Sequence, residues 1–345
     1  MKYKVITLKN KNGMAMKVTD LGGIVMSLTA PDANGVFEDI LLGFDNVEKF
    51  KKNIYINSLI GRVGNRISKG RFSIDDKEYS VALNSEKDGV KCSLHGGDAG
   101  FHDKIWDMRP FTSPEGPAVE LTCLSPNGEG GYPGNLSVRV VYTLMECNAW
   151  KIDYMAITDS PTIVNLTQHA YFNLSGCKRD ITNHILQLFC SKYTAVGKGL
   201  IPTGKIRAVS GTPLDFTEPK VIGDEINSKD SVIAVAGGYD HNFIVDRYGT
   251  DLAICAILED EESGRLMEVW TTEPCVQFYS GNFLDGTVVG KNKVAYNKRF
   301  GLCLETQHAP DSPNNANFKS IRLNPGEIYR STTIYQFTTT AAYGA

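Results

Sequence analysis

The chain has 345 residues, with 36 Lys and Arg against 39 Asp and Glu, a formal net charge of −3. That balance offers no broad basic field to nucleic acid or to an anionic membrane. Hydrophobic residues make up 42% and charged residues 22%, which excludes wholesale disorder, and a chain this long needs no disulfide or metal to hold a core.

The first eight residues, Met1 to Leu8, carry charge without a long apolar stretch and read as a strand rather than a signal peptide. No window approaches the roughly 18 uninterrupted apolar residues of a membrane span. Asn34-Gly35, between the apolar runs 24–28 and 37–42, marks a hairpin. Segments 46–52 and 98–105 each predict a helical turn or two. Leu136, Val138, Val140, Tyr142 and Leu144 alternate with Ser137, Arg139, Val141, Thr143 and Met145. Successive side chains on a strand leave opposite faces, so this period of two predicts a half-buried strand. Residues 151–156 alternate in the same way. Glu262-Ser263-Gly264 separates 252–258 from 266–271 and marks a second hairpin. Strands do not alternate with long amphipathic helices, which disfavours a doubly wound nucleotide-binding fold. No repeat or linker divides the chain. The expected architecture is therefore all-β: one domain over residues 1–345, a large antiparallel β-sandwich with few short helices. Its site would lie on loops at one edge or on a concave face.

Eight cysteines (Cys92, Cys123, Cys147, Cys177, Cys190, Cys255, Cys275 and Cys303) include no C-x-x-C pair. They read as reduced, mostly buried thiols of a cytoplasmic protein. The sequons at Asn135, Asn165 and Asn173 carry no weight without a secretory signal. Residues 199–206 approach a P-loop, but the Ser or Thr after Lys205 is missing and Pro202 removes an amide donor, so a β-turn is expected there. No G-x-G-x-x-G follows a strand, no G-x-S-x-G elbow occurs, and His95 and His102 lack a paired ligand set. No cofactor and no metal are expected.

Chemistry-bearing residues gather in short strand-like or loop segments: 61–67 (G-R-V-G-N-R-I), 93–97 (S-L-H-G-G), 164–174 (V-N-L-T-Q-H-A-Y-F-N-L), 238–242 (G-Y-D-H-N), 276–282 (V-Q-F-Y-S-G-N) and 302–307 (L-C-L-E-T-Q). Each residue also has an ordinary reading. A lone histidine in an apolar strand is usually a satisfied core group. Arg66 suits a loop cap or a surface ion pair, Asp240 a tight turn, Gln277 a water-facing strand position, and Gly96-Gly97 a turn of positive φ. Glu305 stands out, because an ionised carboxylate directly after Leu302-Cys303-Leu304 is costly to bury. Together the set holds one potential base (Glu305), two potential acids (His95, His169), neutral or forked hydrogen bonders (Asn65, Arg66, Asp240, Gln277) and aromatics. Such a mixture suits a neutral polyhydroxylated ligand.

In this order the segments resemble the aldose 1-epimerase family. The resemblance rests on G-R-V-G-N-R-I at 61–67, L-H-G-G at 94–97, G-F at 100–101, G-Y-P-G at 131–134, V-N-L-T-Q-H-A-Y-F-N-L at 164–174, Y-D-H-N at 239–242, Q-F-Y-S-G-N at 277–282 and L-E-T-Q at 304–307. It implies a β-supersandwich and cofactor-free interconversion of α and β anomers of free aldoses, galactose or glucose by expectation. It implies Glu305 as general base and His169 as general acid. It places His95, Asn65, Arg66, Asp240 and Gln277 against the sugar, with Tyr171 lining the pocket. The expected partner is a monosaccharide, not nucleic acid or membrane, and the expected state is a monomer or weak homodimer. Residues 84–92 make a longer approach to His95 than the family pattern.

Three rival readings stay open at this level. A glycoside hydrolase or lyase would pair Asp240 with Glu305. A binding protein would hold sugar without turnover. A hexose 6-phosphate epimerase would need a further cationic pocket. Arg62, Lys69 and Arg71 lie near the first motif, where a solvated surface is expected for them.

Overall fold

A computed structural model describes residues 3–52, 55–247, 249 and 251–343. A nine-stranded antiparallel sheet forms one layer. Its spatial order is Asp107–Ser113, Gly116–Ser125, Leu136–Met145, Ala149–Thr158, Tyr329–Thr339, Arg265–Thr271, Ala253–Asp260, Ile185–Leu188 and Lys220–Val221. A five-stranded antiparallel sheet lies over it, in the order Pro202–Ala208, Lys192–Val196, Asp240–Ile244, Cys275–Tyr279 and Cys303–Gln307. Alternation decides which side chains meet between the layers. The large sheet contributes Val138, Val140, Tyr142, Trp150, Ile152, Val269 and Tyr335, and the smaller one Phe243, Val276, Phe278 and Leu304, all in one apolar cluster. Polar stitches cross the same gap: Tyr335 donates to the Leu304 carbonyl at 2.9 Å, and the Thr306 and Thr333 hydroxyls meet at 2.6 Å.

An N-terminal four-stranded sheet (Val5–Lys9, Ala15–Thr19, Val25–Pro31, Phe37–Asp39) carries the first hairpin where Asn34-Gly35 marks it. Asp32 accepts from the backbone N–H of Asn34 and of Val36, and Gly35 takes a φ of 77°. The second hairpin closes through Ser263 N–H to the Asp260 carboxylate and Gly264 at φ 68°. The strands expected at 136–145 and 151–156 are present as Leu136–Met145 and Ala149–Thr158.

The helical expectations are met in part. Segment 46–52 holds the helix Val47–Lys52. Segment 98–105 instead holds two single 3-10 turns, Gly97–Ala99 and Phe101–Asp103, because Gly100 between them is extended at φ −62°, ψ 154°. The near P-loop is a turn, Lys198–Leu200, leading into the edge strand Pro202–Ala208. No helix among the described residues is long and apolar enough to cross a membrane. The eight cysteines are free, and five of them are buried.

Candidate active site

The layer order leaves the five-stranded sheet with a second face, turned away from the large sheet. Residues directly opposite in register share a face, as do residues two apart. Asn242 pairs with Gln277 and Gln277 with Glu305; Asp240 pairs with Tyr279 and Tyr279 with Cys303. One face of three adjacent strands thus gathers Asp240, Asn242, Gln277, Tyr279, Cys303 and Glu305. This face is buried too, because two loop segments close over it.

The first loop segment is 57–66. The residue Gly61 has no room for a Cβ, which would lie 2.4 Å from the Phe101 ring. A Cβ on Gly96 would lie 2.0 Å from the Gly61 carbonyl oxygen. Glycine at both positions lets the 94–97 loop settle on the 61–67 loop. Asn65 and His95 then bond reciprocally: His95 N–H donates to the Asn65 carbonyl at 3.0 Å, and Asn65 N–H to His95 Nδ1 at 3.2 Å. Residues 84–92, the longer approach, form the hairpin Ser85–Lys87 and Val90–Leu94. Behind it Asn84 grips Leu94 through both amide atoms, fixing the residue before His95.

The second segment, 164–174, is threaded between 57–64 and 302–308. Asn165 exchanges two bonds with the His308 backbone, and the Asn173 amide reaches the carbonyls of Arg179 and Phe300. These asparagines are clamps. Between them His169 donates its N–H to Ser58 O at 3.0 Å and accepts from Asn57 N–H at 2.9 Å. Its ring is delivered over the strand Cys303–Gln307.

The resulting cluster brings one donor atom each from His95, His169 and Glu305 within 4.8 Å of one another. His169 Nε2 lies 3.7 Å from Glu305 Oε1. Gln277 donates to Asp240 at 2.6 Å, and Arg66 faces the other Asp240 oxygen at 3.8 Å. Arg66 also donates to the Asn65 side chain at 3.3 Å. Tyr171 stacks on His169 with centroids 5.0 Å apart, and Tyr279 stands edge-on to both. Glu305 Oε2 and Gln277 Oε1 are buried without a hydrogen-bond partner among the described residues. Buried acceptors left open are costly unless a ligand completes them. A cleft of about 1070 Å³ lies elsewhere, over the outer face of the N-terminal sheet beside Val5, Lys17, Thr29 and Glu48. None of those unpartnered atoms lines it.

Burial dominates the electrostatics. It pushes the Glu305 carboxyl well above its usual range, and the Asp240 charge adds to that while Arg66 pulls back. Burial also lowers His169 to about 4 and holds His95 well below the usual imidazole value. Both shifts favour the arrangement in which a proton shared by Glu305 and His169 sits on the carboxyl. A neutral His95 accepts Asn65 N–H at Nδ1, so its Nε2 bears hydrogen and presents a donor to the cavity, not a lone pair for a cation.

All eight residues singled out from the sequence (Asn65, Arg66, His95, His169, Tyr171, Asp240, Gln277, Glu305) are buried at this one place, and Gln277 does not face water. Arg62 departs from expectation. It is 2% exposed, and its guanidinium donates to Ser125 Oγ and to the carbonyls of Ser125, Pro126 and Pro133 at 2.8 to 2.9 Å. It ties the 61–67 motif to the G-Y-P-G segment, since the tight turn there turns the Pro133 carbonyl inward. Arg71 is exposed and pairs with Glu78, and Lys69 is exposed. Three neighbours were not assigned to the site from the sequence: Tyr55, Tyr279 and Cys303. The last two follow from period two, being two residues from Gln277 and from Glu305. Tyr55 carries no sequence signal; its ring packs 4.7 Å from both His95 and His102.

The chain is similar to known proteins along nearly its whole length. A sequence model of the family described as Aldose 1-epimerase matches residues 4–336. Human galactose mutarotase is 40% identical over 326 residues, 94% of this chain and 91% of that protein. Aldose 1-epimerase of Escherichia coli K12 is 36% identical over 338 residues, 97% and 95% of the two chains. Among solved structures, galactose 1-epimerase from Lactobacillus acidophilus superposes with a TM-score of 0.85 at 30% identity, covering 98% and 95%. An aldose epimerase homologue from C. elegans superposes with a TM-score of 0.88 at 27% identity, covering 98% and 99%. By fold and by sequence along nearly its whole length, the chain belongs to the aldose 1-epimerase family.

Proposed function

We propose that this protein is a mutarotase that interconverts the α and β anomers of free aldohexoses such as galactose and glucose, with Glu305 as general base and His169 as general acid. The observation that carries the reading is the Glu305 carboxyl facing the His169 imidazole across 3.7 Å, in a buried site where Glu305 Oε2 and Gln277 Oε1 lack partners among the described residues. An anomeric carbon bears two oxygens, the C1 hydroxyl and the ring oxygen, so two proton-transfer groups must converge on one atom's substituents.

Glu305 takes the proton of the C1 hydroxyl as the C1–O5 bond breaks, and His169 Nε2 gives its proton to O5. The products are the open-chain aldehyde, a neutral Glu305 carboxyl and a neutral His169. Rotation about C1–C2 followed by the reverse transfers closes the ring on the other face and restores both groups. No net oxidation or hydration occurs. The proton count on the pair is one throughout, and the state after opening is the one that burial favours. Sugar hydroxyls donating to the open Glu305 oxygen favour the carboxylate needed at the start. Each positioned transfer typically contributes about 10²- to 10⁴-fold. His95 Nε2–H and Arg66 stabilise charge developing on oxygen, and Asn65, Asp240 and Gln277 hold the remaining hydroxyls while C1 turns. Tyr171 supplies an aromatic face to the ring C–H groups.

Asp240 is engaged by Gln277 and Arg66, which argues against its serving as the second carboxylate of a hydrolase. The saturated hydrogen bonding of Arg62 argues against a phosphate pocket beside the first motif. One apolar cluster joins both sheets, which supports reading 1–345 as a single domain. Polarimetry on freshly dissolved α-glucose and α-galactose tests the function: mutarotation faster than in buffer is expected. A rate at the buffer value, or release of reducing sugar from glycosides, would overturn it.

A further inference from the structure

Glu305 is not the only residue of its strand that reaches His169. Cys303, two positions earlier on the same face, places Sγ 3.4 Å from His169 Nδ1, while Glu305 Oε1 lies 3.7 Å from Nε2. Residues i and i+2 of a strand stand roughly 6.5–7 Å apart. One strand therefore holds both nitrogens of a single imidazole, one at each end. The ring plane is fixed independently by Tyr171, stacked at 5.0 Å and 17°, and its backbone is clamped by Asn57 and Ser58.

We propose that Cys303 is a positioning residue for His169: its sulfur accepts a hydrogen bond from Nδ1–H, so that Nδ1 stays protonated and Nε2 alone exchanges its proton with the ring oxygen. This rests on the assignment of His169 as general acid. The proton balance of ring opening demands it. Imidazolium that gives up the Nε2 proton must be left as the Nδ1–H tautomer, with its lone pair at Nε2 ready to take the proton back on reclosure. The other neutral tautomer has hydrogen at Nε2 and cannot accept it. An acceptor beside Nδ1 selects the working tautomer, a role that a carboxylate fills at many catalytic histidines.

A thiol suits this site better than a carboxylate. Cys303 is fully buried, and burial with the charges of Glu305 and Asp240 keeps it in the S–H form, so it brings no third negative charge to the pocket. Its sulfur is a weak acceptor. It orients the ring without greatly stabilising the imidazolium, which leaves His169 a strong acid, consistent with its depressed value of about 4.

The experiment pairs 15N NMR of the histidine ring nitrogens with the pH dependence of kcat and KM from polarimetry on α-galactose, for the wild type, C303A and C303S. The neutral His169 of the wild type is expected as Nδ1–H. C303A should lower kcat roughly 2- to 10-fold, the worth of one neutral hydrogen bond, with KM nearly unchanged and the tautomer shifted toward Nε2–H. C303S, which restores an acceptor, should recover most of the rate. An Nε2–H tautomer in the wild type overturns the proposal whatever the variants do, as does a folded C303S that falls as far as C303A. If H169N and E305Q both kept near wild-type rates, the parent assignment would fail. If they lose activity while C303A changes neither rate nor tautomer, this inference alone fails.

Discussion

Replacing Glu305 by Gln should move activity and stability in opposite directions. Gln keeps the shape of the side chain and one oxygen, but removes the group that takes the C1 proton. The other carboxylate of the site, Asp240, is paired in register with Tyr279, not with the 305 position, and is held by Gln277 at 2.6 Å and Arg66 at 3.8 Å. It cannot swing to replace the base. The loss expected is the full general-base term, about 10²- to 10⁴-fold in kcat, or about 3–5 kcal/mol of transition-state stabilisation. The stability term has the other sign. The folded protein holds the Glu305 carboxyl well above its unfolded value. Between the unfolded and folded values the native state binds the extra proton, so stability from this group is present at low pH and is lost as pH rises. E305Q abolishes that dependence. At pH 7 the variant should unfold at the same temperature as the wild type or higher, and its advantage should grow toward alkaline pH. Polarimetric rates and thermal unfolding on the same preparations are the assay. A folded E305Q within about 3-fold of the wild-type rate refutes the base assignment; a variant that unfolds well below the wild type refutes the electrostatic reasoning.

H169N should lower kcat by a similar about 10²- to 10⁴-fold; unchanged kcat with a raised KM would reduce His169 to a binding group. The pH–rate profile should be a plateau over the range in which the Glu305–His169 pair holds one proton. It should fall on the acid side toward the His169 value of about 4 and on the alkaline side only above the raised Glu305 value; a rate that halves near pH 6.5 would contradict burial as the controlling influence. R62A strips donors from three inward-facing carbonyls and should cost about 3–5 kcal/mol of stability, read from urea midpoints; a loss below about 1 kcal/mol would place Arg62 nearer the surface than it is. His169 and His241 are both held near 4 by burial. Unfolding therefore takes up protons from pH 6.5 down to about 4, and each histidine should remove up to about 3 kcal/mol of stability across that window. Flat urea midpoints from pH 7 to 4.5 would count against it.

Much of the fold was legible because period two and turn chemistry are local. The alternation from Leu136 to Leu144 and the Asn34-Gly35 turn each specify a strand or a hairpin with no reference to the rest of the chain. Glu305 was legible as an anomaly, a carboxylate in an apolar strand. The same alternation placed Cys303 beside Glu305 and Tyr279 beside Gln277, although nothing local said which face of those strands would be the site. That was decided by the layers: the large sheet covers Leu304 and Phe278, and the loops 57–66 and 164–174 cover Glu305 and Gln277. Arg62 shows the limit most plainly. Its neighbours in sequence suggest solvent, and only the inward Pro133, Pro126 and Ser125 carbonyls, more than sixty residues away, make a buried guanidinium affordable. The place of Tyr55 and the opposed effects of burial on Glu305 and His169 belong to the same class. Hydrogen-bond satisfaction and desolvation depend on what surrounds a group in space, and sequence reports only what precedes and follows it.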